Sequence, residues 1–80
     1  MSKNIWITGA SSGIGRTTAL KFANEGWKVA VSARRKELLE ELSKENSNIS
    51  SFPLDVTDRK SCIQVFEDIL KKYSNIDLCI

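Results

Sequence analysis

The chain has 80 residues, 41% hydrophobic and 28% charged, with twelve basic against ten acidic side chains and a net charge of +2. That length makes at most one small domain, burying roughly 60–65% of the surface its unfolded form exposes. The charge excess is too weak to argue for nucleic acid as a partner. No run of about 18 apolar residues is present to span a membrane, and the lack of histidine excludes metal sites or catalysis built on imidazole.

The residues after Met1 lead straight into a strand-like run, with no apolar stretch of signal-peptide length, which points to the cytoplasm. Cys62 and Cys79 lie far apart and form no CxxC, so both are expected to be buried free thiols in a reducing compartment. Ile5-Trp6-Ile7-Thr8 is a continuous apolar run ending at Gly9, the pattern of a strand buried on both faces. Ile14, Thr18, Ala19, Phe22 and Ala23 recur at helical spacing, predicting a helix over 14–25 that stops at Gly26. Val29-Ala30-Val31 marks a second strand within 27–32. Leu38, Leu39 and Leu42 place an apolar stripe on a helix over 36–45, which Asn46-Ser47-Asn48 breaks.

A third strand is predicted over 49–54, with Pro53 indicating an edge position or a terminus because proline cannot donate to the ladder. Thr57 is the expected N-cap of a third helix, with Asp58 just inside it. Cys62, Val65, Phe66, Ile69, Leu70 and Tyr73 form that helix's apolar face, and Ile76 to Ile80 begins a fourth strand. The order β-α-β-α-β-α-β, with right-handed helical crossovers, predicts an α/β Rossmann-type open parallel sheet in the spatial order 3-2-1-4. Strand 4 then forms an open hydrophobic edge, and the free chain is expected to be poorly stable.

The chemistry concentrates between the first strand and the first helix, in Thr8-Gly9-Ala10-Ser11-Ser12-Gly13-Ile14-Gly15. There backbone N–H groups and the helix dipole converge on an anion. Gly9 permits the turn out of the strand, Gly13 lets the backbone approach a diphosphate, and Gly15 lets the helix pack closely on the sheet. Ser11 and Ser12 add hydroxyl donors. The spacing G-x-x-x-G-x-G differs from G-x-G-x-x-G, and Arg16-Thr17 replaces the Lys-Ser/Thr of a P-loop, which disfavours an ATPase. Three of the four glycines fall in this seven-residue stretch, which weighs against an incidental glycine-rich turn.

About 20 residues further on, where an NAD site carries an acid for the ribose 2′-hydroxyl, the chain reads Ser32-Ala33-Arg34-Arg35-Lys36, with no acid before Glu37. Arginine pairs with a 2′-phosphate that a carboxylate would repel. These cations also oppose the dipole at a helix start, and a local rule broken at a ligand edge points to function. NADP is therefore expected over NAD, bound through Arg34 and, secondarily, Arg35. The alternative for these residues is a solvated basic turn.

Taken with Ala33-Arg34-Arg35 and Leu54-Asp55-Val56-Thr57-Asp58, the glycine segment resembles the short-chain dehydrogenase/reductase family over essentially the whole chain. The resemblance implies that Asp55 accepts a hydrogen bond from the adenine amino group. It also implies that the Val56 backbone contacts the adenine ring, that the backbone around Ser12, Gly13 and Ile14 holds the phosphates, and that Arg34 goes with NADP. On residues alone, Asp55 reads equally as a strand-end residue near a helix cap. Extended members of the family carry T-G-x-x-G-x-x-G, which this chain does not match.

The family's chemistry also uses a tyrosine with a lysine four residues later, plus an upstream serine. The only tyrosine here, Tyr73, has Asp77 at that spacing and lies on an apolar helix face, so it reads as packing. The resemblance implies that residues 1–80 are the N-terminal, dinucleotide-binding part of a single domain. The complete oxidoreductase would move hydride between nicotinamide and a small carbonyl or alcohol and would be a homo-oligomer. The segment itself holds no catalytic residue and is expected to be inactive. The competing reading is a non-catalytic nucleotide-binding fragment or truncated relative.

Overall fold

The computed structural model describes residues 3–10, 13–55 and 57–79. Ser11, Ser12, Val56 and Ile80, which the sequence singles out, lie outside the described residues. The elements are β1 (Asn4–Thr8), α1 (Gly13–Asn24), β2 (Lys28–Ser32), α2 (Lys36–Glu45), β3 (Ile49–Ser51), α3 (Arg59–Tyr73) and β4 (Leu78–Cys79). The strands pair in parallel in the order β3-β2-β1-β4, as predicted, with Thr8 beside Ser32 and Trp6 beside both Ala30 and Cys79.

Side chains alternate between the sheet's faces, and each face has its own core. Ile5, Ile7, Val29 and Val31 bury against Ala19 and Ala23 of α1 and Leu39 and Leu42 of α2. Trp6 and Ala30, one residue out of phase, bury with Leu54 and with Ile69 of α3. Two-sided burial explains why β1 and β2 read as unbroken apolar runs.

Helix α1 ends in a Schellman arrangement. Gly26, at φ 94°, donates to the Ala23 carbonyl at 3.1 Å, and Trp27 donates to the Phe22 carbonyl at 3.0 Å. The Phe22 and Trp27 rings meet edge-on at 4.8 Å, supplying the apolar contact that accompanies this stop.

Several boundaries differ from expectation. β3 ends at Ser51 rather than residue 54, yet Phe52 and Leu54 still donate to the Val31 and Ala33 carbonyls at 2.8 and 3.0 Å. Pro53 falls between these two donors on the edge strand, where its missing N–H costs no bond to β2. β4 spans only Leu78–Cys79 of the predicted fourth strand. At this edge Cys79 is exposed and Cys62 only half-buried, so the expectation of two buried thiols is not met. Phe66, expected in the core, is 44% exposed while its ring stays 6.1 Å from that of Trp6.

The cap of α3 is Asp58, not Thr57. The Asp58 carboxylate accepts from the N–H groups of Lys60 at 3.1 Å and Ser61 at 3.3 Å, and from the Ser61 hydroxyl at 2.9 Å. Thr57 precedes that cap by one residue, and its hydroxyl donates to Asp55 at 2.7 Å. Asp58→Ala is expected to destabilise the chain by about 1 kcal/mol. In a domain this small that is a fall of roughly 4–8 °C in Tm, measurable by thermal unfolding. An unchanged Tm would show that the cap contributes nothing.

Candidate functional site

The carboxyl ends of β1, β2 and β3 bring three sequence-distant segments together. Ala10 donates to the Ser32 carbonyl at 3.2 Å, tying the glycine loop to the end of β2. Leu54 donates to the Ala33 carbonyl at 3.0 Å, tying the segment after β3 to the same place. Ser32 is itself held. It is fully buried, and its hydroxyl accepts from the Trp6 indole N–H at 2.9 Å. A buried polar group satisfied in this way fixes the local backbone.

Within the loop the glycines have different tasks. Gly9 leaves β1 at φ 66°, a conformation that side chains resist. A Cβ on Gly15 would sit 2.6 Å from the Gly9 carbonyl oxygen and 2.9 Å from the Ala10 Cα. Gly15 therefore brings the first turn of α1 against the loop's own backbone, rather than against the strands as the sequence suggested. A Cβ on Gly13 would meet none of the described residues outside its own helix within 4 Å. Its position lies at the amino end of α1, where the positive end of the helix dipole is directed. No acid occupies that first turn, and the adjacent Ile14 is 85% exposed. Gly13, Ile14, Thr17 and Thr18 border a shallow hollow of about 520 Å³. The Thr17 and Thr18 hydroxyls turn back to the Gly13 and Ile14 carbonyls at 2.9 Å each.

At the β2 and β3 ends, Arg34 Nε lies 3.5 Å from Asp55 Oδ1. That oxygen also accepts the Thr57 N–H at 2.9 Å and the Thr57 hydroxyl at 2.7 Å. The Thr57 hydroxyl, and next its N–H, hold the Asp55 carboxyl below the usual aspartate range, with a smaller push from the Arg34 guanidinium. Arg35 takes the N-cap position of α2 without any side-chain cap bond. The predicted basic helix start is thus real and uncapped.

Of the sequence-predicted site residues, Thr8, Gly9, Gly13, Ile14, Gly15, Arg34, Arg35 and Asp55 all lie at this end of the sheet. The sequence pattern did not single out the clamp of Thr57 on Asp55. An acid followed two residues later by threonine is a turn signal that could have revealed it.

Tyr73 lies at the opposite end of the sheet. Its half-buried hydroxyl donates to the Val29 carbonyl at 3.3 Å, and burial pushes its pKa up, with a bond to Ser50 working the other way. That is packing, as its place on an apolar helix face implies. A hollow of about 350 Å³ beside it, bordered by Lys28, Asn48, Lys72 and Tyr73, is more enclosed than the one at α1. It adjoins the carboxyl end of α3, whose dipole has the wrong sign for a phosphate. The α1 end has the dipole sign that suits an anion, despite its shallower shape. Among the described residues no group of three or more His, Cys, Asp or Glu could hold a metal ion, and no helix is long and apolar enough to cross a membrane.

A family model described as short chain dehydrogenase matches residues 3–80. The chain is similar to a serine 3-dehydrogenase of Rhizobium radiobacter, at 40% identity over all of this chain and 32% of that protein. It is also similar to an NADP-dependent 3-hydroxy acid dehydrogenase of Schizosaccharomyces pombe, at 43% identity over 98% of this chain and 32% of that one. Among solved structures, a 3-ketoacyl-(acyl-carrier-protein) reductase from Brucella melitensis complexed with NADH superposes with a TM-score of 0.92. That match has 29% identity and covers 96% of this chain and 32% of the reductase. The chain thus spans about a third of the length of the relatives it matches.

Proposed function

The chain belongs to the short-chain dehydrogenase family, and from that premise we propose that it forms the NADP-binding part of an oxidoreductase acting on a small carbonyl/alcohol pair. Residues 1–80 are read as the N-terminal portion of one dinucleotide-binding domain. The single observation carrying this reading is the open position at Gly13, on a helix start drawn against its loop by the Gly9–Gly15 contact. A dinucleotide's diphosphate fits there, because a backbone without Cβ at that point can approach phosphate oxygens with its N–H groups.

In this reading Thr8, Gly9, Ser11, Ser12, Gly13, Ile14 and Gly15 cradle the diphosphate. Arg34, with Arg35 behind it, receives the 2′-phosphate. Asp55 takes the adenine amino group, and the Val56 backbone lies along the ring. The nicotinamide, when bound, supplies or accepts the hydride. This chain's own residues bind and orient the cofactor, and none is assigned to proton transfer, since Tyr73 lies at the other end of the sheet. NADP over NAD rests on Arg34 and the absence of an acid before Glu37. Similar proteins bearing either cofactor are known. A homo-oligomeric, cytoplasmic enzyme with neither nucleic-acid nor membrane partner completes the proposal.

The test is calorimetric titration of the chain with adenosine 2′,5′-bisphosphate and with 5′-ADP. Binding of the first is expected, tighter than the second, with no turnover of any carbonyl. Affinity weaker than roughly 1 mM, about −4 kcal/mol, would remove the dinucleotide reading.

A further inference from the structure

The two hydrogen bonds that the Asp55 carboxylate accepts both reach one oxygen. Oδ1 accepts the Thr57 N–H and the Thr57 hydroxyl, with Arg34 Nε in ion-pair contact at 3.5 Å, while among the described residues no recorded hydrogen bond reaches Oδ2. A carboxylate has about four acceptor positions, two on each oxygen. Oδ1 is therefore saturated, and the capacity left on this half-exposed group is on Oδ2. We infer that Thr57 is the positioning residue of the adenine subsite: by occupying Oδ1 with two donors it leaves Oδ2 as the acceptor for an exocyclic amine. This rests on the dinucleotide reading and extends it to a residue outside the glycine loop and the basic turn.

Magnitudes assign the task to Thr57 rather than Arg34. The Arg34 contact is longer, at 3.5 Å against 2.7 and 2.9 Å, and both its partners are well exposed to water, where an ion pair is weak. The recorded contact of Arg34 with Asp55 is through Nε. The terminal nitrogens of a guanidinium are the fork suited to a phosphate. The side chain can thus serve a 2′-phosphate without leaving Asp55, which links the two subsites through one carboxylate. Among the described residues Arg34 is the charged group facing Asp55 from β2. The Asp58 carboxylate, at the start of α3, is turned to the Lys60 and Ser61 amides instead.

The experiment compares the unsubstituted chain with Thr57→Val, which keeps the shape and the N–H but removes the hydroxyl, and with Thr57→Ser, which restores it. Carboxyl carbon NMR follows the Asp55 titration, and calorimetry follows adenosine 2′,5′-bisphosphate binding. In the unsubstituted chain the Asp55 carboxyl should titrate below the ordinary value of about 3.9. Thr57→Val should raise that midpoint and weaken binding about three- to tenfold, as loss of one hydrogen bond of ordinary net strength implies. Thr57→Ser should return both to their starting values. Unchanged titration in Thr57→Val would overturn the inference, as would a moved midpoint with unchanged affinity. If the unsubstituted chain binds no bisphosphate at all, the dinucleotide reading itself fails, which is a different result from either.

Discussion

Replacing Gly15 by alanine is expected to cost both stability and ligand binding, whereas the same change at Gly13 is expected to cost binding alone. At position 15 the added methyl would lie 2.6 Å from the Gly9 oxygen, 2.9 Å from the Ala10 Cα and 3.2 Å from the Gly9 carbon. All three are backbone atoms, so no side chain can rotate out of the way and the loop itself must move. Forcing a methyl into such a contact destabilises by about 1–3 kcal/mol. In a domain this small each kcal/mol lowers Tm by roughly 4–8 °C. The displaced loop also loses its aim at the diphosphate, so affinity for adenosine 2′,5′-bisphosphate should fall about tenfold or more, as small misplacements of a preorganised site do.

At position 13 a methyl meets none of the described residues outside its own helix within 4 Å. Alanine is the better helix former by up to about 1 kcal/mol, so Tm should hold or rise slightly. The methyl would instead stand where the phosphates approach, and binding should fall with no loss of stability. Thermal unfolding and calorimetry on the two variants separate these effects. Equal losses of Tm would show that the close approach of helix and loop does not distinguish Gly15 from Gly13. Intact binding in Gly13→Ala would remove the phosphates from the α1 terminus.

The second large effect is at Arg34. Arg34→Asp should reverse the preference between adenosine 2′,5′-bisphosphate and 5′-ADP, shifting the affinity ratio by about 10- to 100-fold. Hydrogen bonds to charged groups are worth about 1.5–3 kcal/mol, and a carboxylate adds repulsion of the 2′-phosphate. The new carboxylate would also stand near Asp55, so Arg34→Gln serves as the control that removes the charge without adding another. It should weaken bisphosphate binding and leave 5′-ADP nearly unaffected. Fold stability should barely respond in either variant, because the Arg34–Asp55 pair is largely open to water. An unchanged affinity ratio in Arg34→Asp would assign the 2′-phosphate to another group, with Arg35 at the uncapped start of α2 the next to test.

The amino-acid sequence by itself determines the bounds of α2, the order of elements, the sheet order 3-2-1-4 and the glycine loop. These depend on local periodicity, on glycine spacing and on the handedness of crossovers. Each is a property of a short stretch of chain or a general rule of chain geometry. What each side chain meets across the sheet is not legible in that way. The β1–β2 register sets Thr8 beside Ser32, so that Trp6 can reach the Ser32 hydroxyl, and the β2–β3 register lets Arg34 meet Asp55, partners 21 or more residues apart. The exposure of Cys79 is decided likewise, by its place in β4, which among the described strands pairs with β1 alone.

Thr57 marks the boundary between the two kinds of knowledge. Its sequence neighbourhood allows its hydroxyl either to cap α3 or to clamp Asp55, since both targets lie within two or three residues. Packing resolved the choice, because Leu54 is anchored to the end of β2 and Asp58 takes the helix amides, leaving Thr57 to the carboxylate. Local chemistry defined the options at each position. The free energy that chose among them came from contacts between segments that only folding brings together.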